Sequence, residues 1–283
     1  MAGRHVRVQP MSVRSPKVRF DSVSAPAGRR RGGPILGVFV DAGTFESAVS
    51  RLLAAPARGE RLRAHFCTVH TIVEAQDRPD LRDLLNTADL VAPDGMPLVW
   101  LQRASGRTCE RVCGPDLMLA LLDRGRATGA RHFFYGGVEG VAVELARRMA
   151  ARYPGLRVAG TESPPFRPLS PEEDAAAVAR INAAAPDFVW VGLGSPRQEQ
   201  WLASHRDRLA APVLLAVGAA FDFHAGRRPR APKLMQRTGT EWLFRFATEP
   251  RRLGRRYVVT NARFLGLLAG ARFRRLRTRR CRR

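Results

Sequence analysis

Short apolar segments alternate with stretches of helical spacing along most of the chain, and several of these segments end at a glycine or a proline. The apolar segments are residues 35–40, 63–69, 90–92, 132–135, 156–160, 188–191 and 213–217. Strands of this length that alternate with helices predict βαβ units, which build a parallel sheet covered by helices. We therefore expect an α/β fold, and we find no internal repeat.

The positive charge of the chain lies mainly at its two ends. The formal net charge is +23, of which residues 1–33 contribute +7 and residues 243–283 contribute +13. We predict a disordered basic extension over 1–33, a nearly neutral globular body over 34–242, and a basic appendage over 243–283. Because a nucleic-acid-binding protein carries basic charge on the folded domain itself, this distribution disfavours that class, which remains the alternative from outside enzymology.

The appendage interleaves its arginines with apolar residues, a pattern typical of helices that lie on an anionic membrane surface. The competing interpretation is a helix pair packed on the body with a solvated basic side. The most apolar uncharged run, residues 209–221, is shorter than the ~20 residues that a spanning helix needs. Residues 1–33 contain no apolar core of a signal peptide. We therefore expect a chain that does not span a bilayer and whose appendage contacts an anionic membrane surface.

Ligands of parallel α/β sheets bind at the carboxyl ends of the strands, so the turns there are the candidate site. Asp94, between Pro93 and Gly95, is either a turn former or a general base. The glycines Gly136 and Gly137 either form a plain turn or admit a phosphate to a helix start. Since they do not complete a dinucleotide fingerprint, an NAD-linked oxidoreductase is the weaker alternative.

Ser195 precedes a predicted helix, and two interpretations of its role are open. It is either the N-cap of that helix, with Gln198 completing a capping box, or a contact for a substrate hydroxyl. Further along, Arg245, Arg252 and Arg255 are spaced by seven and three residues, which puts them on one face if a single helix carries them. Guanidinium groups suit a diphosphate because they are always charged and bind it through two donors.

Six segments, taken in order, resemble the WecG/TagA/CpsF family of bacterial glycosyltransferases from about residue 35 to residue 264. They are 35–38 with Asp41, 88–96, 110–117, 192–199, 218–226 and 230–252, and they include the runs APDGM, ERVCGPD, GLGSPRQE and EWLFR. The resemblance implies a Rossmann-like parallel sheet with helices on both faces and a basic C-terminal helical appendage.

The resemblance also implies an inverting transferase that moves a sugar, commonly of the N-acetylmannosamine type, from UDP to a polyprenyl-diphosphate-linked acceptor. It implies a cytoplasmic protein that is peripheral on the inner face of the cytoplasmic membrane. By this analogy Asp94 is the base, and Arg111, Gln198 and Thr68 are active-site residues. The implied substrate-binding residues are Gly95, Gly114, Asp116, Gly136, Gly137, Gly194, Ser195, Pro196, Glu199, Asp222, Arg245, Arg252 and Arg255. No cofactor is implied, and the chain contains no Asp-X-Asp metal motif.

One stretch departs from the family pattern. The family usually has a threonine and an asparagine after the second strand, whereas this chain reads Cys67-Thr68-Val69-His70-Thr71. Thr68 fills the threonine position, and His70 is either a sugar contact or a packed neutral histidine, of which we expect the latter. The sequence leaves open the donor sugar and whether the chain forms a homo-oligomer.

Overall fold

The computed structural model describes residues 32–232, 234–235, 240–248 and 250–280. Residues 1–31 of the extension predicted to be disordered over 1–33 lie outside this range, and the prediction is wrong for Gly32 and Gly33, which belong to a strand. The described strands are β1 Gly32–Ile35, β2 Val38–Asp41, β3 Leu62–Cys67, β4 Leu90–Pro93, β5 Arg131–Gly136, β6 Arg157–Glu162, β7 Phe188–Gly192 and β8 Val213–Ala216.

Six of these strands form one parallel sheet, in the order β4-β3-β8-β7-β5-β6. The prediction of a parallel α/β sheet is therefore confirmed. β3 and β4 lie on one side of the central strands β8 and β7, and β5 and β6 lie on the other side. The chain therefore runs outward from the centre of the sheet in both directions. A sheet of this order opens a crevice at the carboxyl ends of its central strands, where a ligand can enter.

The segment 35–40, predicted as a single strand, is in fact the turn region of a separate antiparallel hairpin. β1 pairs with β2, and Leu36 and Gly37 both adopt positive φ between them. A two-residue turn with positive φ at both positions matches the twist of a hairpin, and glycine adopts it without strain. The hairpin begins at Gly32, two residues before the predicted start of the body.

The helices are α1 Phe45–Ala54, α2 Val69–Asp77, α3 Pro79–Asn86, α4 Met96–Ala104, α5 Gly114–Arg124, α6 Val141–Arg152, α7 Pro171–Ala183, α8 Arg197–His205, α9 Ala220–His224, α10 Glu241–Thr248 and α11 Pro250–Arg280. The helical spacing of residues 71–88 alone would predict one continuous helix, but the structure has α2 and α3 there. Pro79 separates them, because proline lacks an N–H donor and disfavours helical backbone at the residue before it.

Strand β7 shows how the sheet is covered on both faces. Phe188 and Trp190 pack into one buried cluster with residues of α5 and α6. Val189 and Val191 point the other way, into a cluster with residues of α7 and α8. Alternate residues of a strand face opposite sides of a sheet, so a strand buried at every position requires helices on both sides. The predicted Rossmann-like arrangement is confirmed.

The long helix α11 packs along α2 through one of its sides. Phe264 is buried in a cluster with Ile72 and Leu98, and Leu268 packs against the same cluster. Other apolar residues of α11 are exposed, namely Val258, Val259, Leu265 and Phe273. In the described part of the chain, no helix combines the length and the apolar character that crossing a membrane requires.

Candidate active site

The loops that follow β3 and β4 interlock at the carboxyl edge of the sheet. The Asp94 N–H donates to the carbonyl of Cys67 at 2.9 Å, and the Val112 N–H donates to the carbonyl of Pro93 at 3.0 Å. A Cβ added to Gly95 would lie 3.8 Å from the nitrogen of Val69, at the start of α2. These contacts bring Asp94, Gly95 and Thr68 together, as the position of their turns predicts.

A single guanidinium group connects Asp94 to the C-terminal helices. Arg111 donates from Nε to the main-chain oxygen of Asp94 at 2.6 Å and from Nη2 to its Oδ1 at 3.0 Å. The same Nη2 lies 3.0 Å from Oε2 of Glu241, the first residue of α10. The three side chains expose 13 to 21% of their surface, so solvent screens them only in part. The base candidate is thus held in place from its side chain and from its backbone.

The surroundings of Asp94 make its carboxyl more basic than an exposed aspartate. Burial raises the pKa of Asp94, Arg111 lowers it, and the negative charge of Glu241 raises it again, with a net rise. For Arg111, burial lowers the pKa, but the carboxylates of Asp94 and Glu241 outweigh this and hold the guanidinium charged. A general base needs a carboxylate that is oriented but still able to accept a proton, and this arrangement meets both requirements.

A second ion pair lies at the start of α5. Arg230 donates to Oδ1 of Asp116 at 2.5 Å, and the thiol of Cys113 donates to Oδ2 of Asp116 at 2.9 Å. The Arg230 Nε is buried and has no hydrogen-bond partner among the described residues. Arg230 is also close enough to lower the pKa of Asp94. A fixed cation therefore lies within electrostatic range of the base candidate.

Gln198 and Glu199 occupy buried positions at the start of α8. Gln198 Nε2 donates to Glu199 Oε1 and to the carbonyl of Ala216, both at 3.3 Å. The Gln198 Oε1 has no partner among the described residues and lies 3.2 Å from where a Cβ of Gly218 would be. Burial raises the pKa of Glu199, against the lowering by its own backbone, Gln198 and Ser195. The Glu199 carboxylate thus accepts a hydrogen bond from the side-chain amide of Gln198.

The turn before α8 does not contain the capping box that the sequence allowed. α8 begins at Arg197, its N-cap residue is Pro196, and no side chain caps it. Ser195 is exposed at this turn, and Gly194 takes a positive φ. The reading of Ser195 as the N-cap is therefore wrong, and its hydroxyl is free of that role.

The glycines at the strand ends allow close packing of backbone. A Cβ on Gly136 would come within 2.7 Å of the backbone of Gly192, and the Gly137 N–H donates to the Gly192 carbonyl at 3.0 Å. Helix α6 begins only at Val141. Gly114 lies against the residue that follows β8, because its Cβ would be 3.4 Å from Val217. The turn reading accounts for these contacts of Gly136 and Gly137.

Several other predicted site residues lie apart from the Asp94 cluster or serve local structure. Thr68 caps α2, and its hydroxyl accepts from the Thr71 N–H at 3.3 Å. Asp222 pairs with Arg228 at 3.3 Å. The His70 side chain is 40% exposed and 3.7 Å from Glu74, so the prediction that it is packed is wrong. The side chains of Arg245, Arg252 and Arg255 lie outside the described residues.

Sequence reasoning assigned no role to Glu241, Arg230 or Cys113. All three lie within the motifs that carried the family resemblance, yet spacing alone does not show which side chains meet. Glu241 is 130 residues from Arg111 in the chain, and Arg230 is 114 residues from Asp116. Only the packing of α10 and of the preceding segment against the sheet edge brings them together.

The parallel sheet, with a carboxylate and a guanidinium paired at its carboxyl edge, defines an α/β enzyme with a candidate general base. Residues 34–278 match the Glycosyl transferase WecG/TagA/CpsF family, and the chain belongs to this family of glycosyltransferases. It is also similar to a protein of Bacillus spizizenii named N-acetylglucosaminyldiphosphoundecaprenol N-acetyl-beta-D-mannosaminyltransferase. The two are 32% identical over 180 residues, which cover 63% of this chain and 68% of the relative. Neither match supports the nucleic-acid-binding or oxidoreductase alternative.

Proposed function

We propose that this enzyme transfers a sugar of the N-acetylmannosamine type from a UDP-linked donor to a polyprenyl-diphosphate-linked saccharide, in the synthesis of a cell-surface polysaccharide. The observation that carries the proposal is the pairing of Asp94 with Arg111 at the carboxyl edge of β4. The Bacillus spizizenii relative, whose name specifies such a donor sugar and acceptor lipid, supports the substrate assignment.

Asp94 is the general base of the proposed reaction. The acceptor hydroxyl attacks the anomeric carbon of the donor while its proton passes to the Asp94 carboxylate. The new bond from oxygen to carbon forms as the bond from carbon to the UDP oxygen breaks, and that electron pair leaves with UDP. A single displacement of this kind inverts the anomeric configuration. The raised pKa of Asp94, caused first by burial, suits a carboxylate that must take up a proton.

Fixed cations stabilise the negative charge of the departing diphosphate. Arg230 is held by Asp116 and keeps a buried Nε without a partner among the described residues. Arg245, Arg252 and Arg255 of α10 and α11 are the further candidates from the sequence. A metal ion is not required in this scheme, because guanidinium groups placed in advance can compensate charge that develops in the transition state.

The enzyme works at the inner face of the cytoplasmic membrane, where its lipid-linked acceptor is held. The exposed apolar residues of α11, which include Val259, Leu265 and Phe273, enter the interface, while the arginines of the appendage attract anionic lipids. Helix α11 packs on α2, the helix that starts next to Asp94. The membrane-facing helix is therefore anchored close to the catalytic edge.

A transfer assay tests this proposal. The purified enzyme is given a short-chain lipid-diphosphate-N-acetylglucosamine acceptor and a panel of UDP-sugars in the presence of EDTA, and UDP release is measured. We expect acceptor-dependent release with one donor of the N-acetylmannosamine type. Release with a different donor would correct the sugar, and release only after metal is restored would contradict the metal-independent scheme.

A further inference from the structure

Glu241 accepts a hydrogen bond from the same nitrogen atom as Asp94, the proposed base. Arg111 Nη2 lies 3.0 Å from Asp94 Oδ1 and 3.0 Å from Glu241 Oε2. Two carboxylates therefore compete for one guanidinium nitrogen. Glu241 exposes the smallest share of its surface of the three side chains, which separates this contact from an ordinary surface ion pair.

A base fully neutralised by a guanidinium group accepts a proton poorly, since the positive charge stabilises its ionised form. Glu241 partly neutralises the positive charge of Arg111 and adds a negative charge near Asp94. Both effects favour proton uptake by Asp94. Glu241 itself does not lie on the strand-end turns, so it acts on the reaction through Arg111.

We infer that Glu241 is a positioning residue that sets the basicity of Asp94 by sharing Arg111 with it. The inference rests on the proposed role of Asp94 as the general base. It adds a carboxylate from α10 to a site otherwise built from the sheet edge, and it gives the first residue of the C-terminal helices a function in the chemical step.

The same contact couples the base to the placement of the C-terminal helices. Glu241 opens α10, and α10 packs against α11, which in turn packs on α2. A displacement of α10 would therefore withdraw Glu241 from Arg111. Arg111 would then pair with Asp94 alone, and Asp94 would become a weaker base. Asp94 is therefore most basic only when α10 and α11 are packed against the body.

Other charged and titratable groups also act on Asp94. Arg230, from the segment before α10, lowers the pKa of Asp94. The thiols of Cys67, at the end of β3, and Cys113, before α5, also lie close, and burial raises the pKa of both so that they stay uncharged. Glu241 is the carboxylate that raises the pKa of Asp94.

The test is the pH dependence of kcat/KM for Glu241→Gln, which keeps the shape of the side chain and removes its charge. We expect the acid limb to move to lower pH by about one pH unit and the plateau to fall about tenfold. Glu241→Asp, which keeps the charge, should leave the acid limb near its wild-type position. Vesicle binding of each variant is measured alongside.

Asp77→Asn is the matched control, because Asp77 also ties the C-terminal helices to the body, through Arg263 of α11, but from the opposite end of α2 to the one near Asp94. Its acid limb should not move. An acid limb for Glu241→Gln at the wild-type position, with or without a lower plateau, would overturn the inference while leaving Asp94 as the base. Activity retained by Asp94→Asn would instead overturn the proposed function and the inference with it.

Discussion

Arg230 and Asp116 form an ion pair across 114 residues of sequence, with Arg230 Nη1 2.5 Å from Asp116 Oδ1. The Arg230 side chain is 18% exposed and that of Asp116 is 40% exposed, so the pair lies between a buried and a surface contact. It anchors the segment before α10 to the start of α5. This pair and the Asp94–Arg111–Glu241 cluster hold the C-terminal segments against the sheet edge.

Asp116→Asn should lower the free energy of unfolding by about 1 kcal/mol at neutral pH, since it leaves the largely covered Arg230 without its carboxylate. Urea unfolding measures the effect. The control is Asp123→Asn, which removes a similar pair with Arg126 at the surface and should change stability by less than about 0.5 kcal/mol. A smaller loss for Asp116→Asn than for Asp123→Asn would contradict the anchoring role.

The same variant has a predictable pH dependence. Burial raises the pKa of Asp116, but hydrogen bonds from Arg230 and Cys113 outweigh this and hold it below the ordinary value of 3.8. A carboxyl whose pKa is lower in the folded chain stabilises fully above its unfolded pKa, and the stabilisation disappears as pH falls through the folded value. The difference between wild type and Asp116→Asn should therefore shrink as pH falls below the ordinary value of 3.8, as unfolding curves across this range would reveal.

Arg111→Lys should reduce kcat/KM roughly 100-fold while UDP affinity changes little. Lysine keeps the positive charge but cannot hold both the main-chain oxygen and the carboxylate of Asp94, and a base displaced by about 1 Å loses about two orders of magnitude in rate. Steady-state kinetics and calorimetric UDP binding separate the two effects. Arg103→Lys is the control, because Arg103 also donates to a main-chain oxygen, that of Cys109. A near-normal rate for Arg111→Lys would show that charge alone suffices.

Gln198→Ala should lower kcat/KM by roughly 100-fold, as expected when a preorganised polar contact to the substrate is removed. The reason is the Gln198 Oε1, which is held in place through its amide nitrogen by Glu199 yet has no partner among the described residues. Gln200→Ala changes an exposed glutamine on the same helix and should be neutral. Equal effects from the two substitutions would remove Gln198 from the site.

Two neighbouring residues of α11 should separate folding from membrane attachment. Leu265→Ser, on the exposed side, should weaken binding to anionic vesicles roughly fivefold without loss of stability. Phe264→Ala, on the buried side, should cost about 3 kcal/mol of unfolding free energy. Vesicle sedimentation and urea unfolding of both variants test this. Unchanged vesicle binding by Leu265→Ser would mean that this face of α11 does not meet the membrane.

The sheet could be predicted because its central strands, β7 and β8, are buried on both faces, so their runs of apolar residues mark them directly. Local detail was harder. The positive φ of Leu36, which turns one apolar run into a hairpin, has no signal in that residue's chemistry. The split between α2 and α3 was available from Pro79, since proline interrupts a helix after the preceding residue.

The residues of the candidate site also differ in whether the sequence could reveal them. Asp94 follows β4 directly, and Gln198 lies at the start of the helix that comes after β7. Parallel topology places strand ends together, so both residues could be proposed from sequence. Glu241 could not, because its contact with Arg111 depends on how a distant helix returns to the sheet edge. Periodicity within a helix indicates which residues share a face but says nothing of what that face meets.

The most direct test of the account is acceptor-dependent UDP release by Asp94→Asn, compared with wild type at equal UDP-sugar saturation. Asparagine keeps the size of the side chain but cannot take the acceptor proton, so we expect turnover to fall by at least about 100-fold. UDP binding should stay close to that of the wild-type enzyme. Turnover near the wild-type rate would contradict Asp94 as the general base and, with it, the assignment of the sheet edge at β4 as the catalytic centre.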